Sequence, residues 1–520
     1  MTLGINIRDF GFSPKFTEWR HGQEDAILEC VGSNKRFMIQ VQPTGSGKSI
    51  CYMTIAKLLG VRTLILTSTK ILQEQISKDF PEVAVIKGKS SYPCKLVNGI
   101  TNCDEAPCRL YRYSCGYRHS GCNFYDAVKK ANNSQIVITN YAFQSHNNFN
   151  SILGDFDFLI CDEGHDVTQQ LLGTLCTTVS NTELQYLCVD TTDSDEQIYT
   201  DLIRSKKFIK DSINDIVKDA TKAGNLSSLI NDRKYRFLDT LSLKLDKISA
   251  RGQWVLEKTT KGIDIDPLWP RHFAETHLFR NIPKILLTSA TFNIKMVSLL
   301  GIRETEYDYV EYSSYFPIKS RPIIHIPTVS LRAKLDQDSI NLWLLRIDQI
   351  IANRLDRKGV IHAVSYERCK LILENSKYRE MMISHRPGKV EEAVDKLKKS
   401  FTPKILVSPT CVTGIDLPYT DCEYQIIGKV PFPDLRRRVD QIRKESDKDY
   451  GMMLAIQNIQ QAVGRGMRAS DDQCENLVID DQFKWFPWKY QSEFNKWFME
   501  AIKTSYTIPM PLPKLDTHRK

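Results

Sequence analysis

The sequence predicts an α/β protein of more than one domain, on three observations. Short apolar runs at 37–41, 63–67, 136–139, 156–161, 284–288, 360–363, 405–408, 424–427 and 476–479 read as strands buried on both faces, as in a parallel sheet. The gaps between them can hold helices. A chain of 520 residues is too long for one hydrophobic core, so at least two domains are expected.

In chain order, the first strand leads into Gln42, Pro43, Thr44, Gly45, Ser46, Gly47, Lys48 and Ser49, and then into a helix-compatible stretch, 50–59. Small residues let consecutive backbone N–H groups turn toward a triphosphate. Lys48 can reach its β- and γ-phosphates, Ser49 can hold Mg²⁺, and the helix N-terminus adds partial positive charge. Gln42 stands where the simplest form of this motif has its first glycine. A Gly-rich turn of purely structural use is the alternative.

Cys94, Cys103, Cys108, Cys115 and Cys122, five of 14 cysteines, fall within 29 residues. Such clustering in a reducing compartment points to metal or redox chemistry. Four thiolates satisfy an iron–sulfur cluster or tetrahedral Zn²⁺, and His119 could replace one for zinc. Unligated thiols in an exposed loop are the third reading. The stretch is rich in Gly, Asn, Ser and Arg, so a metal staple would supply what its small apolar content cannot.

The run at 156–161 ends in Asp162, Glu163, Gly164 and His165. Beside a phosphate loop, Asp162 would hold Mg²⁺ through water, and Glu163 would orient and deprotonate an attacking water. From 169 to 280 the pattern turns helical: Ile198, Leu202, Ile209, Ile213 and Ile216 recur amid Lys206, Lys207, Lys210 and Lys218, with Gly224 and Asn225 at a turn. Further on, Ser289, Ala290 and Thr291 follow one strand, and Thr413, Gly414, Ile415 and Asp416 follow another. Gln461, Gly464, Arg465 and Arg468 complete the series. Arginines three apart share a helical face and suit the charge of a γ-phosphate. The aromatic segment Phe483, Trp485, Phe486, Trp488, Trp497 and Phe498 is expected to pack on the second domain rather than stack on bases.

With Thr67, Ser68, Thr69 and Lys70 included, these motifs stand in the order found in superfamily 2 helicases, which the chain resembles over about residues 20–480. The stretches 88–94, 121–125 and 138–141, which flank the cysteines, resemble the XPD/DinG branch. This resemblance implies two RecA-like domains with ATP and Mg²⁺ between them. Arg20 and Gln23 would read the adenine, and residues 42–49 would cradle the phosphates with help from Gly414 and Asp416. Lys48, Asp162 and Glu163 would act from the first domain, and Arg465 and Arg468 from the second. His165 and Gln461 would sense the γ-phosphate, while Ser289, Ala290 and Thr291 would couple hydrolysis to the nucleic-acid track.

The branch further implies a [4Fe–4S] cluster on four of the five cysteines: Cys94 and Cys122 as outer ligands with two of Cys103, Cys108 and Cys115. It also implies 5′→3′ movement on single-stranded DNA, with forked or overhang duplexes as substrates and a monomeric motor. The expected organisation is a first domain at 1–90, 126–168 and 281–300, with a metal insertion at 91–125 and a helical, arch-like insertion at 169–280. A second domain at 301–506 and a flexible basic tail at 507–520 complete it. The rival readings are a translocase or RNA helicase with structural zinc, and a non-hydrolysing module in which the cleft is only a switch.

Composition sets the outer limits. A net charge of +9 permits a polyanionic partner without requiring one. Arg436, Arg437, Arg438, Arg443 and Lys444 form either a polyanion footprint or a solvated helix face. No apolar run reaches the roughly 20 residues that span a bilayer. The N-terminus lacks a signal-peptide layout, so a cytoplasmic protein is expected.

Overall fold

The structure, a computed structural model, describes residues 4–514 except 5, 69, 97–101, 111–114, 146–148, 226–227, 230, 250–251, 332–335, 410–416 and 467–471. Gly414, Asp416 and Arg468 lie outside the described residues, as does the side chain of Arg465.

The strands of the first half are β1 (Phe37–Val41), β2 (Thr63–Thr67), β3 (Ala84–Val85), β4 (Ile136–Asn140), β5 (Phe158–Asp162), β6 (Thr177–Ser180), β7 (Trp254–Thr259), β8 (Gly262–Pro267), β9 (Lys284–Ser289) and β10 (Tyr307–Glu311). Seven of them form a parallel sheet in the order β10-β1-β9-β5-β2-β4-β3. The second half supplies β11 (Ile323–Val329), β12 (Gly359–His362), β13 (Met382–Ile383), β14 (Ile405–Ser408), β15 (Tyr424–Ile427), β16 (Glu475–Asp480) and β17 (Ile502–Thr504). These make another parallel sheet, β13-β14-β12-β15-β16-β11-β17. The chain is therefore two α/β domains. The central strands are buried along their whole length, which is why they read as unbroken apolar runs.

Sheet order decides where the motifs meet. β1, β9 and β5 are consecutive, with Val41 opposite Ser289 and Thr288 opposite Asp162. Three strands thus deliver the phosphate loop, the Ser-Ala-Thr turn and the acidic box to one level of one sheet edge. Carboxyl ends of parallel strands are where such folds bind ligands.

Three expectations are corrected. The first domain does not end near residue 300, because β10 pairs with β1 from Phe37↔Tyr307 to Val41↔Glu311. An edge strand with every residue half-buried lacks the apolar run that marks the central ones. The 169–280 insertion is not purely helical. Its helices Asp195–Lys222 and Arg233–Lys247 pack Ile198, Leu202 and Ile209 with Leu238, Leu241 and Leu245. That core also includes Ile263 and Ile265 of an antiparallel sheet, β6-β8-β7. Finally, 507–514 is anchored rather than flexible: Ile508 packs on the second core, Pro509 O accepts from Arg354 Nη2 at 3.1 Å, and Lys514 meets Asp356 at 2.7 Å. Residues 515–520 lie outside the described residues.

The aromatic segment packs as expected. Phe483, Phe486, Trp497 and Phe498 are buried with Ile459, Ala462 and Val463, while Trp485 and Trp488 stay exposed.

Candidate active site

The phosphate loop is held in shape from behind. Gly47 has φ +79°, and a Cβ there would lie 2.4 Å from Gln23 Nε2, so only glycine fits. Gln23 is buried; its Nε2 donates to Ser46 O at 2.7 Å and its Oε1 accepts from Arg20 N at 2.8 Å. Arg20 Nη1 donates to Gly45 O. The pair expected to read adenine therefore braces the loop. Gln42, in place of a glycine, donates to Gln40 Oε1 at 2.9 Å, and Gln40 Nε2 donates to Ala26 O at 2.6 Å. That chain ties the loop's entrance to helix Gln23–Gly32. Helix Lys48–Leu59 then begins at Gly47, which gives Lys48 and Ser49 the N-terminal turn that binds anions.

Asp162 closes β5, buried beneath the loop, where Tyr52 Oη donates to Oδ2 at 3.4 Å and Glu163 N to Oδ1 at 3.0 Å. Burial first, then the charge of Glu163, raises the Asp162 carboxyl above its ordinary range, and Lys48 opposes this. Glu163 adopts φ +51°, a left-handed conformation unusual outside glycine. His165 is buried, with Nδ1 2.6 Å from Ser289 Oγ and 3.3 Å from Glu163 Oε2. Ser289 Oγ in turn accepts from Thr291 N at 3.1 Å. The acidic box and the Ser-Ala-Thr turn form one hydrogen-bonded unit.

The second domain reaches this unit directly. Gln457 Nε2, on helix Tyr450–Val463, donates to His165 O at 3.0 Å. A Cβ built on Gly464 would fall 2.9 Å from Thr44 Oγ1. The Gly-Arg turn therefore sits against the phosphate loop, and backbone leading into Arg465 enters the cleft. Ser46 Oγ and Gln461 Nε2 are buried without a hydrogen-bond partner among the described residues. Polar atoms buried at this cost fit a polyanionic ligand between the lobes.

All five clustered cysteines line one cavity with Lys89, Leu96, Phe124 and Tyr125. Burial and the neighbouring Cys122, Cys94 and Cys108 push the Cys103 thiol up to about 12. Burial, then Cys115 and Cys94, raises Cys108. The thiols are the soft donors that an iron–sulfur or zinc site uses, and they share one cavity. Among the described residues, no three His, Cys, Asp or Glu side chains stand in metal-holding geometry.

The arginine cluster was legible in sequence, but its partners were not. Arg437 pairs with Asp266, Arg438 with Asp195 at 2.7 Å, and Arg443 donates to Pro267 O at 2.8 Å and Leu268 O at 2.9 Å. These arginines fasten the insertion to the second domain. No local signal marks this, since the acceptors lie about 170–240 positions away. Among the described residues no helix is long and apolar enough to cross a membrane.

Comparison with known proteins follows the same division into halves. A family model described as type III restriction enzyme, res subunit, matches residues 16–221, and one for a helicase C-terminal domain matches 352–501. A curated relative, the ATP-dependent DNA helicase XPD of Sulfolobus acidocaldarius, is 21% identical over 91% of this chain and 97% of its own length. A solved XPD helicase structure covers 94% of this chain and 99% of its own, with TM-score 0.64 and 16% identity. The structure of S. tokodaii Xpd4 covers 94% and 100%, with TM-score 0.58 and 14% identity. With its two halves matched by these models and its fold shared almost end to end with XPD structures, the chain is similar along nearly its whole length to superfamily 2 helicases of XPD type.

Proposed function

We propose that this helicase translocates 5′→3′ on single-stranded DNA and unwinds forked or overhang duplexes, with a [4Fe–4S] cluster on four of Cys94, Cys103, Cys108, Cys115 and Cys122. The observation that carries the motor reading is the approach of Gly464 to Thr44, which joins the lobes at the loop where a triphosphate would lie. Lys48 and Ser49 would hold its phosphates and Mg²⁺, with Asp162 holding the metal through water. Glu163, at its carboxylate, would take the proton of the attacking water. Arg465 and Arg468 would neutralise the charge that develops on the transferred group. Gln461 and His165 would report that charge to the neighbouring lobe. Arg20 and Gln23 would set the loop's shape, and Gly414 and Asp416 would complete the nucleotide site.

Two lobes joined at a triphosphate make a two-state device, closed with the γ-phosphate and released without it. Contacts to DNA would be mostly to phosphates, and therefore salt-sensitive and tolerant of sequence. The thiol-lined cavity supports a cluster that staples the insertion, with Zn²⁺ as the alternative occupant. Lys48→Ala should abolish ATP turnover, and Glu163→Gln should keep ATP binding while stopping hydrolysis. DNA-stimulated hydrolysis in either variant overturns the motor assignment. Strand displacement on DNA and RNA duplexes with each overhang tests substrate and polarity. Iron near four per chain in anaerobically purified protein supports the cluster, whereas stoichiometric zinc refutes it.

A further inference from the structure

We propose that Trp497 is a positioning residue that passes the state of the Ser-Ala-Thr turn to the second lobe. The proposal rests on the motor reading above and concerns residues that lie outside its motifs. Trp497 is 5% exposed, and its indole belongs to the core formed by Ile459, Ala462 and Val463 of helix Tyr450–Val463. Its one polar atom, Nε1, crosses to the first domain and donates to Ala290 O at 2.9 Å. That carbonyl lies between Ser289, which touches His165, and Thr291.

A second bridge runs beside it. Asn495 Nδ2 donates to Phe292 O at 3.3 Å, and Asn495 N donates to Gln460 Oε1 at 2.9 Å. One short segment thus holds the turn after β9 with one hand and the neighbour of Gln461 with the other. A packed indole is a rigid lever with two side-chain torsions, so a shift of the Ala290 peptide moves the helix that leads to Gly464 rather than dissipating in a loop. The bonding atom is a backbone carbonyl, which explains why no motif reveals the partnership: any residue at 290 would offer it.

The test is steady-state ATP turnover with and without single-stranded DNA in Trp497→Phe, which keeps a ring and removes the donor, and in Asn495→Ala. A buried hydrogen bond lost only in the coupled state corresponds to about tenfold. DNA-stimulated kcat should therefore fall about tenfold in each variant, while KM for ATP and turnover without DNA stay within about twofold. Stimulated turnover equal to wild type in both variants overturns the proposal. So does an equal fall of both rates with a lowered Tm, the mark of a merely structural tryptophan. Absence of DNA stimulation in the wild-type protein would instead refute the motor reading, a result seen before any variant is made.

Discussion

Replacing Gly464 by alanine tests the joint between the lobes with a single methyl group. The backbone there has φ −72°, so alanine adds no torsional strain and removes some unfolded-state entropy. The added Cβ would stand 2.9 Å from Thr44 Oγ1, where ordinary contact begins at 3.4 Å. The lobes must part by about 0.5 Å or Thr44 must turn away from the loop. If a misplacement of about 1 Å costs about 100-fold, half of that costs about tenfold in kcat, near 1.4 kcal/mol. The assay is DNA-stimulated ATP turnover of Gly464→Ala, Thr44→Ala and the double variant, with Tm measured for each. The double variant should recover most of the loss relative to Thr44→Ala alone, because the colliding oxygen is gone. Full activity in Gly464→Ala, or a purely additive double variant, refutes the claim that the lobes meet at this loop.

Further outcomes follow from other parts of the structure. Arg354, fully buried, holds Glu475 through Nε at 2.8 Å and Nη2 at 3.2 Å, so Arg354→Ala should lose about 3–5 kcal/mol in denaturant unfolding. Replacing both partners by apolar residues should lose much less. Glu163→Gly should inactivate the enzyme yet raise its stability over Glu163→Gln by about 1–2 kcal/mol, because glycine accepts the left-handed backbone; thermal unfolding compares them. Arg438→Ala should change global stability by about 1 kcal/mol or less, since Arg438 and Asp195 are both well exposed, whereas Arg437→Ala leaves the buried Asp266 carboxylate without this partner and should cost more. Hydrogen exchange should quicken in β7 and β8, which the two arginines hold.

The central strands were legible because burial on both faces leaves no freedom in their composition. The runs at 37–41, 63–67, 405–408 and 424–427 coincide with β1, β2, β14 and β15. The acidic box and the Ser-Ala-Thr turn were legible for the same reason, each standing where such a run stops. β10 and the β6-β8-β7 sheet were not: Thr177–Ser180 is mostly part-exposed, and Gly262–Pro267, though largely buried, sets Asp and Pro among only two isoleucines. Pairings between distant positions were invisible for a different reason. Trp497 finds Ala290, and Arg437 finds Asp266, only after both domains have formed. Gln23 was singled out in sequence with Arg20 as an adenine reader, but its bonds to Arg20 N and Ser46 O emerged only from the folded loop.

The bond between helix Arg438–Ser446 and the insertion has a mechanical corollary. The insertion is rooted in one lobe and pinned to the other by Arg437, Arg438 and Arg443. Spreading the lobes must either drag this appendage along or unpin it, so the motor's stroke and the insertion's posture share one degree of freedom. Ionic strength, by loosening exposed guanidinium–carboxylate pairs, would then tune the amplitude of the stroke as well as the grip on a charged strand.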